Sequence, residues 1–330
     1  MMTRILLSSR LATLLLLAAI IPGAPALRAQ DCGMTFGPPL RQNMLFAYKY
    51  TERVRSVYET PSDNGPIRDS SERTVTYFMT ERQLPIVGDS GLVKIEVNVD
   101  SMQLEYHSGD EAFTFDTQKQ ATEYREITHR ELLVPSALVN RVAIFTLSPY
   151  GEVVRIEGPI LDIREQVNAP QIDEFTRARG MALTTQEYLT SVLFPWRGAA
   201  PFGRDVVCGT PVTLKTGLVL DRVPFNDPVQ TTFSMSGENR RLMYQGTMKH
   251  PAVKTMTVNS FRDPLTIVSA DGTISGALEL DQDGVVREGW SAARGTLVGT
   301  VDKLRVTGTI SHEVFFSRMW ISPFAVNAAP

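Results

Sequence analysis

The chain has 330 residues, and its 33 basic and 36 acidic side chains give a net charge of −3. This length allows one large domain or two ordinary ones. No basic patch stands out, which argues against nucleic acid as a partner, and no segment after residue 29 is apolar over enough length to cross a membrane.

The first 29 residues have the order of a bacterial secretory signal peptide. Positive charge at Arg4 and Arg10 precedes the apolar run Leu11–Ile21, and small residues follow as far as Ala29. Cleavage after Ala29 fits best, with Ala26 as the alternative, and leaves 30 basic and 36 acidic residues, a net charge of −6. We therefore expect a periplasmic or secreted protein without a transmembrane segment once the signal is removed.

Two cysteines, Cys32 and Cys208, remain in the mature chain. In an oxidising compartment the simplest outcome is one disulfide between them. The alternative is a free thiol nucleophile, which needs a histidine beside it in the fold.

Residues 30–165 are predicted to form a first β-rich half. Apolar and polar residues alternate without interruption from Lys94 to Asp100, the pattern of a strand with one buried and one solvated face. Weaker alternation runs through residues 44–58, 73–82 and 142–147. Asn64-Gly65 and Tyr150-Gly151 are suited to hairpin turns.

Helix is expected mainly in residues 166–203. Pro170 suits a first helical turn. Thr184 with Glu187 forms a capping box ahead of a second helix, which Pro195 ends. The Gly, Ala and Pro residues that follow predict an exposed connector over residues 194–203.

Residues 204–330 are predicted to form a second β-rich half. Alternation through residues 212–223, 240–249 and above all 304–316 predicts strands. Asp271-Gly272 and Asp283-Gly284 can adopt the positive φ of tight turns, which predicts two consecutive hairpins.

The two halves share a short pattern. Each begins near a cysteine and contains Val-Val-Arg after a glycine turn, at 153–155 and 285–287, which suggests an internal repeat. The predicted fold class is mainly β, a β-rich α+β protein. It consists of two similar antiparallel, curved β-sheet halves with a short helical segment between them.

These features resemble a family of exported bacterial β-rich proteins of unknown function. The resemblance rests on the signal peptide, the strand Gly151–Gly158, the helical middle ending in Phe194-Pro195 and the glycine-containing loop that leads into the second half. The family's usual Gly-Asp-x-Trp is replaced here by Gly203-Arg204-Asp205-Val206. The resemblance implies no established activity. By fold analogy alone, the chain also resembles bacterial lipoprotein carriers and lipid-binding exported proteins.

The sequence predicts no catalytic, cofactor-binding or metal-binding residues. None of the four histidines (His107, His129, His250, His312) has the spacing of a metal site. His312 falls on the apolar face of its strand, so we expect a satisfied core or edge histidine. His129 and Glu131 would share one face of a strand.

Methionine and phenylalanine residues allow two interpretations. They suit either an adaptable lipid pocket or an ordinary core: Met79, Phe113, Phe115, Met235, Met243, Met248 and Met256. We expect a non-catalytic protein that binds a lipid or other apolar ligand, or a cell-envelope component, within or between the two halves.

Two other hypotheses remain open. One is a structural or protein-interaction module that binds an envelope protein through a sheet edge or outer face. The other is a hydrolase whose site is assembled from distant residues. A concave apolar cavity would favour ligand binding, whereas a filled core with one exposed apolar patch would favour protein interaction. A cleft with clustered carboxylates, or with a histidine beside Cys or Ser, would favour a hydrolase.

Overall fold

The computed structural model describes residues 32–36, 43–85, 91–120, 129–193, 200–215, 218–236, 238–258, 261 and 263–323. The predicted signal peptide, residues 1–29, lies outside these residues. Within them, none of the helices has the length and apolar character needed to span a bilayer.

Antiparallel strands make up most of the described chain, as predicted. In chain order they are β1 (Gly33–Thr35), β2 (Met44–Thr60), β3 (Ile67–Gln83), β4 (Val93–Ser108), β5 (Glu111–Asp116), β6 (Val142–Leu147), β7 (Val153–Glu157), β8 (Asp205–Val207), β9 (Pro211–Lys215), β10 (Leu218–Leu220), β11 (Val223–Phe225), β12 (Pro228–Ser236), β13 (Asn239–Met248), β14 (Thr255–Met256), β15 (Leu265–Leu280), β16 (Val286–Val301) and β17 (Leu304–Pro323).

One 13-stranded sheet dominates the fold. Its order is β7-β6-β4-β3-β2-β17-β16-β15-β13-β12-β9, with β5 also paired to β4 and β14 to β15. β2 and β17 pair along their length, from Met44 opposite Pro323 to Glu59 opposite Thr307. Strands of both predicted halves therefore join in one sheet. We call this contact the junction. The division into two domains and the internal repeat remain predictions.

The two faces of the sheet differ because side chains alternate along each strand. On β17 the even-numbered residues from Val306 to Phe316 are buried, whereas their odd-numbered neighbours are more exposed. We call the buried side the inner face and the opposite side the outer face. Glycines let aromatic rings pack close to the inner face: a Cβ on Gly289 would lie 2.5 Å from the ring of Phe316.

Short helices cover the inner face. They are α1 (Leu133–Leu138), α2 (Ile163–Val167), α3 (Glu174–Ala182) and α4 (Gln186–Leu193). α1 and α2 have only six and five residues, too few for a helical period to show in the sequence. The helices and the small β10–β11 sheet together form what we call the cover.

The two predicted helix starts need correction. α3 does not begin at Pro170: its N-cap is Asp173, whose carboxylate accepts a hydrogen bond from the Thr176 N–H. α4 follows Thr185, whose hydroxyl accepts from the Tyr188 N–H at 3.3 Å. The predicted cap, Thr184, instead donates to the Met181 carbonyl.

Three predicted hairpin turns are confirmed, and one is wrong. Gly65, Gly151 and Gly284 have positive φ and lie between paired strands. At Asp271-Gly272, however, β15 continues, and Gly272 pairs with Gly295 of β16. The glycine there permits close packing rather than a turn, since a Cβ would lie 2.8 Å from the carbonyl oxygen of Arg294.

The strand predicted over residues 212–223 is also divided, into β9, β10 and β11. Asp221 has a φ of 55°, and Leu220 pairs with Val223. Asp221 and Arg222 therefore form a two-residue turn between β10 and β11, which places both side chains against the sheet.

The predicted Cys32–Cys208 disulfide is present, with Cα atoms 5.5 Å apart. It lies beside the paired strands β1 and β8. The two cysteines are 176 residues apart in sequence. Because the disulfide lowers the entropy of the unfolded chain, it stabilises the fold by on the order of 5 kcal/mol in the chain-entropy model.

The predicted connector is only partly described, because residues 194–199 lie outside the described part. Ala200 and Phe202 are buried, so the exposure predicted for them is wrong. The phenylalanine ring packs where Gly151 lacks a side chain: a Cβ there would lie 2.4 Å from Phe202.

Candidate functional site

Among the described residues, a group of seven acidic, arginine and histidine side chains is buried between the sheet and its cover. They are Glu52 on β2, Arg73 on β3, His312 on β17, Glu131 before α1, Arg179 on α3, and Asp221 and Arg222 in the β10–β11 turn. Each side chain is at most 9% exposed. We call them the inner cluster.

Arg73 is the central cation of this cluster. Its guanidinium lies 3.2 Å from Glu52 and 3.7 Å from both Glu131 and Asp221. Glu52 belongs to the sheet, whereas Glu131 and Asp221 belong to the cover. Arg73 therefore joins the two layers electrostatically.

Glu131 and His312 add further links between these layers. Glu131 accepts hydrogen bonds from Arg179 and, at 3.1 Å, from Arg222. His312 Nδ1 donates to the carbonyl oxygen of Val219 in β10 at 3.1 Å, and its Nε2 lies 3.0 Å from Glu52 Oε1. His312 is thus a buried core histidine, as the sequence predicts, with Nδ1 hydrogen-bonded to Val219 and Nε2 facing the Glu52 carboxylate.

Charge compensation makes this burial tolerable, because an unpaired buried charge is strongly destabilising. Burial alone would raise the pKa of Glu52, but the Arg73 guanidinium, the contact with His312 and the Arg222 guanidinium lower it to about 2. Burial, together with Arg222, lowers the pKa of Arg179 to about 10. Both groups therefore remain charged at neutral pH.

The inner cluster supports a structural role. It contains the grouped carboxylates that the hydrolase hypothesis requires, but they are paired with arginines beneath the cover rather than placed on the wall of a cleft. What the arrangement can do is hold the cover on the sheet.

A trough of about 490 Å³ lies on the outer face, across the junction. Two neighbouring rows of side chains border it, each in register across β13, β15, β16, β17 and β2. The largely apolar row is Ala277, Trp290, Phe315 and Thr51, and Met243, opposite Ala277, continues it beyond the lining of the trough. The polar row is Arg241, Glu279, Glu288, Ser317 and Lys49. We call this the outer trough.

The apolar row is unusual in its exposure to solvent. Trp290 is 38% exposed, Phe315 50% and Met243 53%, whereas the small Ala277 between Met243 and Trp290 is 2% exposed. From β13 to β2 the trough spans four inter-strand spacings, roughly 19 Å. The adjacent exposed rings of Trp290 and Phe315 form an apolar patch, and exposed apolar patches mark interaction sites.

Most charges beside the apolar row are paired. Arg241 lies 3.1 Å from Glu279, and Glu288 lies 3.3 Å from Arg287. Lys49 differs: among the described residues, none of the ion pairs involves its ammonium group.

The methionines and phenylalanines named from the sequence divide between core and surface. Met79, Phe115, Met248 and Met256 are buried, Phe113 is partly buried, and Met235 and Met243 are exposed. Core packing explains most of them. Of this set, only Met243 is in register with a row of the outer trough, and it lies beyond the residues that line the trough.

The remaining histidines have different surroundings. His129 is in a turn, 2.8 Å from Glu111, so it does not share a strand face with Glu131. His250 is 2.6 Å from Asp227, and His107 is exposed on β4. In the described part of the chain, no group of three or more His, Cys, Asp or Glu residues is arranged to hold a metal ion.

Neither the family models nor the curated proteins contain a match to this chain. Among solved structures, lipovitellin, studied for its lipid–protein interactions, is similar over 88% of this chain and 26% of its own, with 10% identity and a TM-score of 0.46. The chain thus spans about a quarter of the lipovitellin chain.

Two bacterial structures show more distant similarity. A domain described as an outer membrane lipoprotein-sorting protein from Vibrio parahaemolyticus has 11% identity over 85% of this chain and 87% of its own, with a TM-score of 0.15. Pseudomonas aeruginosa OccK7 (OpdD) has 7% identity over 84% of this chain and 100% of its own, with a TM-score of 0.21.

The similar proteins include one studied for its lipid–protein interactions and one described as sorting lipoproteins. Because no family model matches the chain, the resemblance to an exported family of unknown function stays a prediction. Because all three TM-scores are low, we draw no conclusion about function from these similarities.

Proposed function

We propose that this chain is an exported, non-catalytic protein that binds an apolar ligand in the outer trough. The exposure of Trp290 and Phe315 carries the proposal, because rings of the inner face such as Tyr50 and Tyr77 are at most 1% exposed. An apolar ligand on the exposed rings would gain roughly 25 cal/mol per Å² of apolar surface removed from water.

Three properties of the outer trough support a small ligand. Its volume of about 490 Å³ falls in the range of roughly 300–1,000 Å³ that is common for small-molecule sites. Its rows offer apolar contact on one side and polar contact on the other. Finally, the trough crosses the junction, in agreement with the expectation of a site between the two halves.

Binding of the neutral apolar dye 1-N-phenylnaphthylamine would test the proposal. The dye's fluorescence should rise on the mature wild-type protein. In the double variant Trp290→Ser/Phe315→Ser, we expect its affinity to fall at least tenfold, because two large apolar surfaces are lost.

A matched control removes exposed apolar side chains elsewhere. Ile67 and Val268 are 63% and 68% exposed and do not border the trough. The double variant Ile67→Ser/Val268→Ser should bind the dye like the wild type. Equal loss in both double variants, or no dye binding by the wild type, would rule out the outer trough as the site.

A second candidate function is the binding of an envelope protein on the outer face. Met319 and Trp320, 52% and 44% exposed, extend the apolar surface beyond the trough. A photoreactive residue at position 319 should then cross-link to a protein in the source cell, whereas the same residue at position 67 should not.

A further inference from the structure

The charges around the outer trough indicate the chemical class of its ligand. We infer that the ligand is a single-chain amphiphile with an anionic headgroup, and that Lys49 binds this headgroup. The inference rests on the proposed function, since it specifies the ligand of the same trough.

In the described part of the chain, Lys49 is the cation of the polar row that forms no ion pair, whereas Arg241 is paired. Arg241 lies 3.1 Å from Glu279 at the other end of the row. Lys49 is opposite Ser317 on β17 and Phe78 on β3, neither of which carries a charge. An anion there would meet an ammonium group without first displacing a carboxylate.

The surroundings of Lys49 suit a headgroup. Ser317 is its direct cross-strand neighbour, and Thr51 lies two residues along β2 on the same face. The Thr51 hydroxyl already shares a hydrogen bond with the Thr76 hydroxyl at 3.1 Å, so the Ser317 hydroxyl is the one that can donate to a carboxylate or phosphate oxygen. The ammonium supplies the charge, and hydrogen bonds between charged groups are stronger than those between neutral ones.

The apolar row then fixes the direction of the chain. From the Lys49 end it continues over Phe315 and Trp290 to Ala277 and Met243, away from the junction. The span of roughly 19 Å accommodates one extended acyl chain beside the polar row. A ligand with its headgroup at Lys49 therefore places its apolar part on the exposed rings.

Displacement of bound 1-N-phenylnaphthylamine by a pair of ligands with the same chain would test the inference. Decanoate carries an anionic headgroup, and 1-decanol carries a neutral one. For Lys49→Gln, we expect the affinity for decanoate to fall about fivefold, the upper range for a solvent-exposed charge pair. The affinity for decanol should be unchanged, and Lys49→Arg should retain decanoate binding.

Three further arms sharpen the test. Lys119 is 83% exposed and lies outside the trough, so Lys119→Gln should leave both affinities unchanged. Comparing decyl phosphate with decanoate shows whether the site prefers a phosphate or a carboxylate headgroup. If one of the two binds more tightly than the other, this preference should be lost in Lys49→Gln. Added salt should weaken decanoate binding in the wild type more than in Lys49→Gln.

The inference and the proposed function fail differently. Equal decanoate affinities in the wild type and Lys49→Gln would overturn the inference, while ligand binding would stand. If neither decanol nor decanoate displaced the dye, the proposed function would be overturned and the inference with it.

Discussion

The inner face of the sheet buries charged side chains, whereas the outer face exposes large apolar ones to water. On the inner face, Glu52, Arg73 and His312 are buried beneath the cover. On the outer face, Trp290 and Phe315 are substantially exposed. Folded proteins usually bury large apolar side chains and leave charged ones exposed, so each face contains an exception to this distribution.

The two exceptions have different physical explanations. Every charge of the inner cluster has an opposite charge nearby, and these pairs link the sheet to the cover, so the cluster is explained by folding. The exposed rings of the outer trough add little to stability, because much of their surface remains in water. Their arrangement is therefore better explained by a ligand.

Removal of the central arginine should reveal the largest difference in stability between variants of the inner cluster and variants of the outer trough. In Arg73→Met, Glu52 and the carboxylates of the cover lose a buried partner, so we expect a loss of about 3–5 kcal/mol in the free energy of unfolding. Urea denaturation would measure it. Arg68→Met is the matched control: Arg68 is 73% exposed and pairs with Glu59 at 2.7 Å.

The control should change stability by less than about 0.5 kcal/mol. The trough variant Trp290→Ser/Phe315→Ser should stay well below the loss in Arg73→Met, because both rings are partly in water already. Equal destabilisation by Arg73→Met and the trough variant would contradict the division of roles between the two faces.

Acid should weaken the inner face specifically. The pKa of Glu52 is about 2 in the folded protein and 4.5 in the reference state. Because its folded-state pKa is lowered, Glu52 stabilises the fold fully above pH 4.5, and this contribution is lost as the pH falls towards 2. The lost contribution is on the order of 3 kcal/mol.

Stability measured between pH 6 and pH 2 would check this window, with Glu52→Gln as the control. The variant lacks the titrating carboxylate, so its stability should fall less steeply than that of the wild type. Parallel curves for the two proteins would show that Glu52 does not hold its charge through ion pairing.

Much of the sheet could be predicted from the sequence because alternation is a local signal. The pattern of Lys94–Asp100 lies within β4, and residues 304–316 lie within β17. The error at Asp271-Gly272 has a physical cause: the dipeptide is compatible with a turn, but Gly272 also allows β15 to pack closely on β16. Only the strand pairing distinguishes the two.

Neither group of site residues could be recognised from the sequence. The inner cluster combines residues as distant as Glu52 and His312, and two of its members lie in the unpredicted Asp221-Arg222 turn. The outer trough requires the register of five strands, which places Trp290 beside Phe315 and Lys49 beside Ser317. Alternation predicts which face a side chain occupies, but not which strand lies next to it.

The most direct test of ligand binding in the outer trough observes Trp290 itself. In a variant with Trp196→Phe and Trp320→Phe, Trp290 is the remaining tryptophan of the chain. On addition of 1-decanol, its emission should shift to shorter wavelength and iodide should quench it less, because the ring becomes covered by apolar surface. Unchanged emission and quenching, while the same sample binds 1-N-phenylnaphthylamine and decanol displaces it, would contradict ligand binding in the trough.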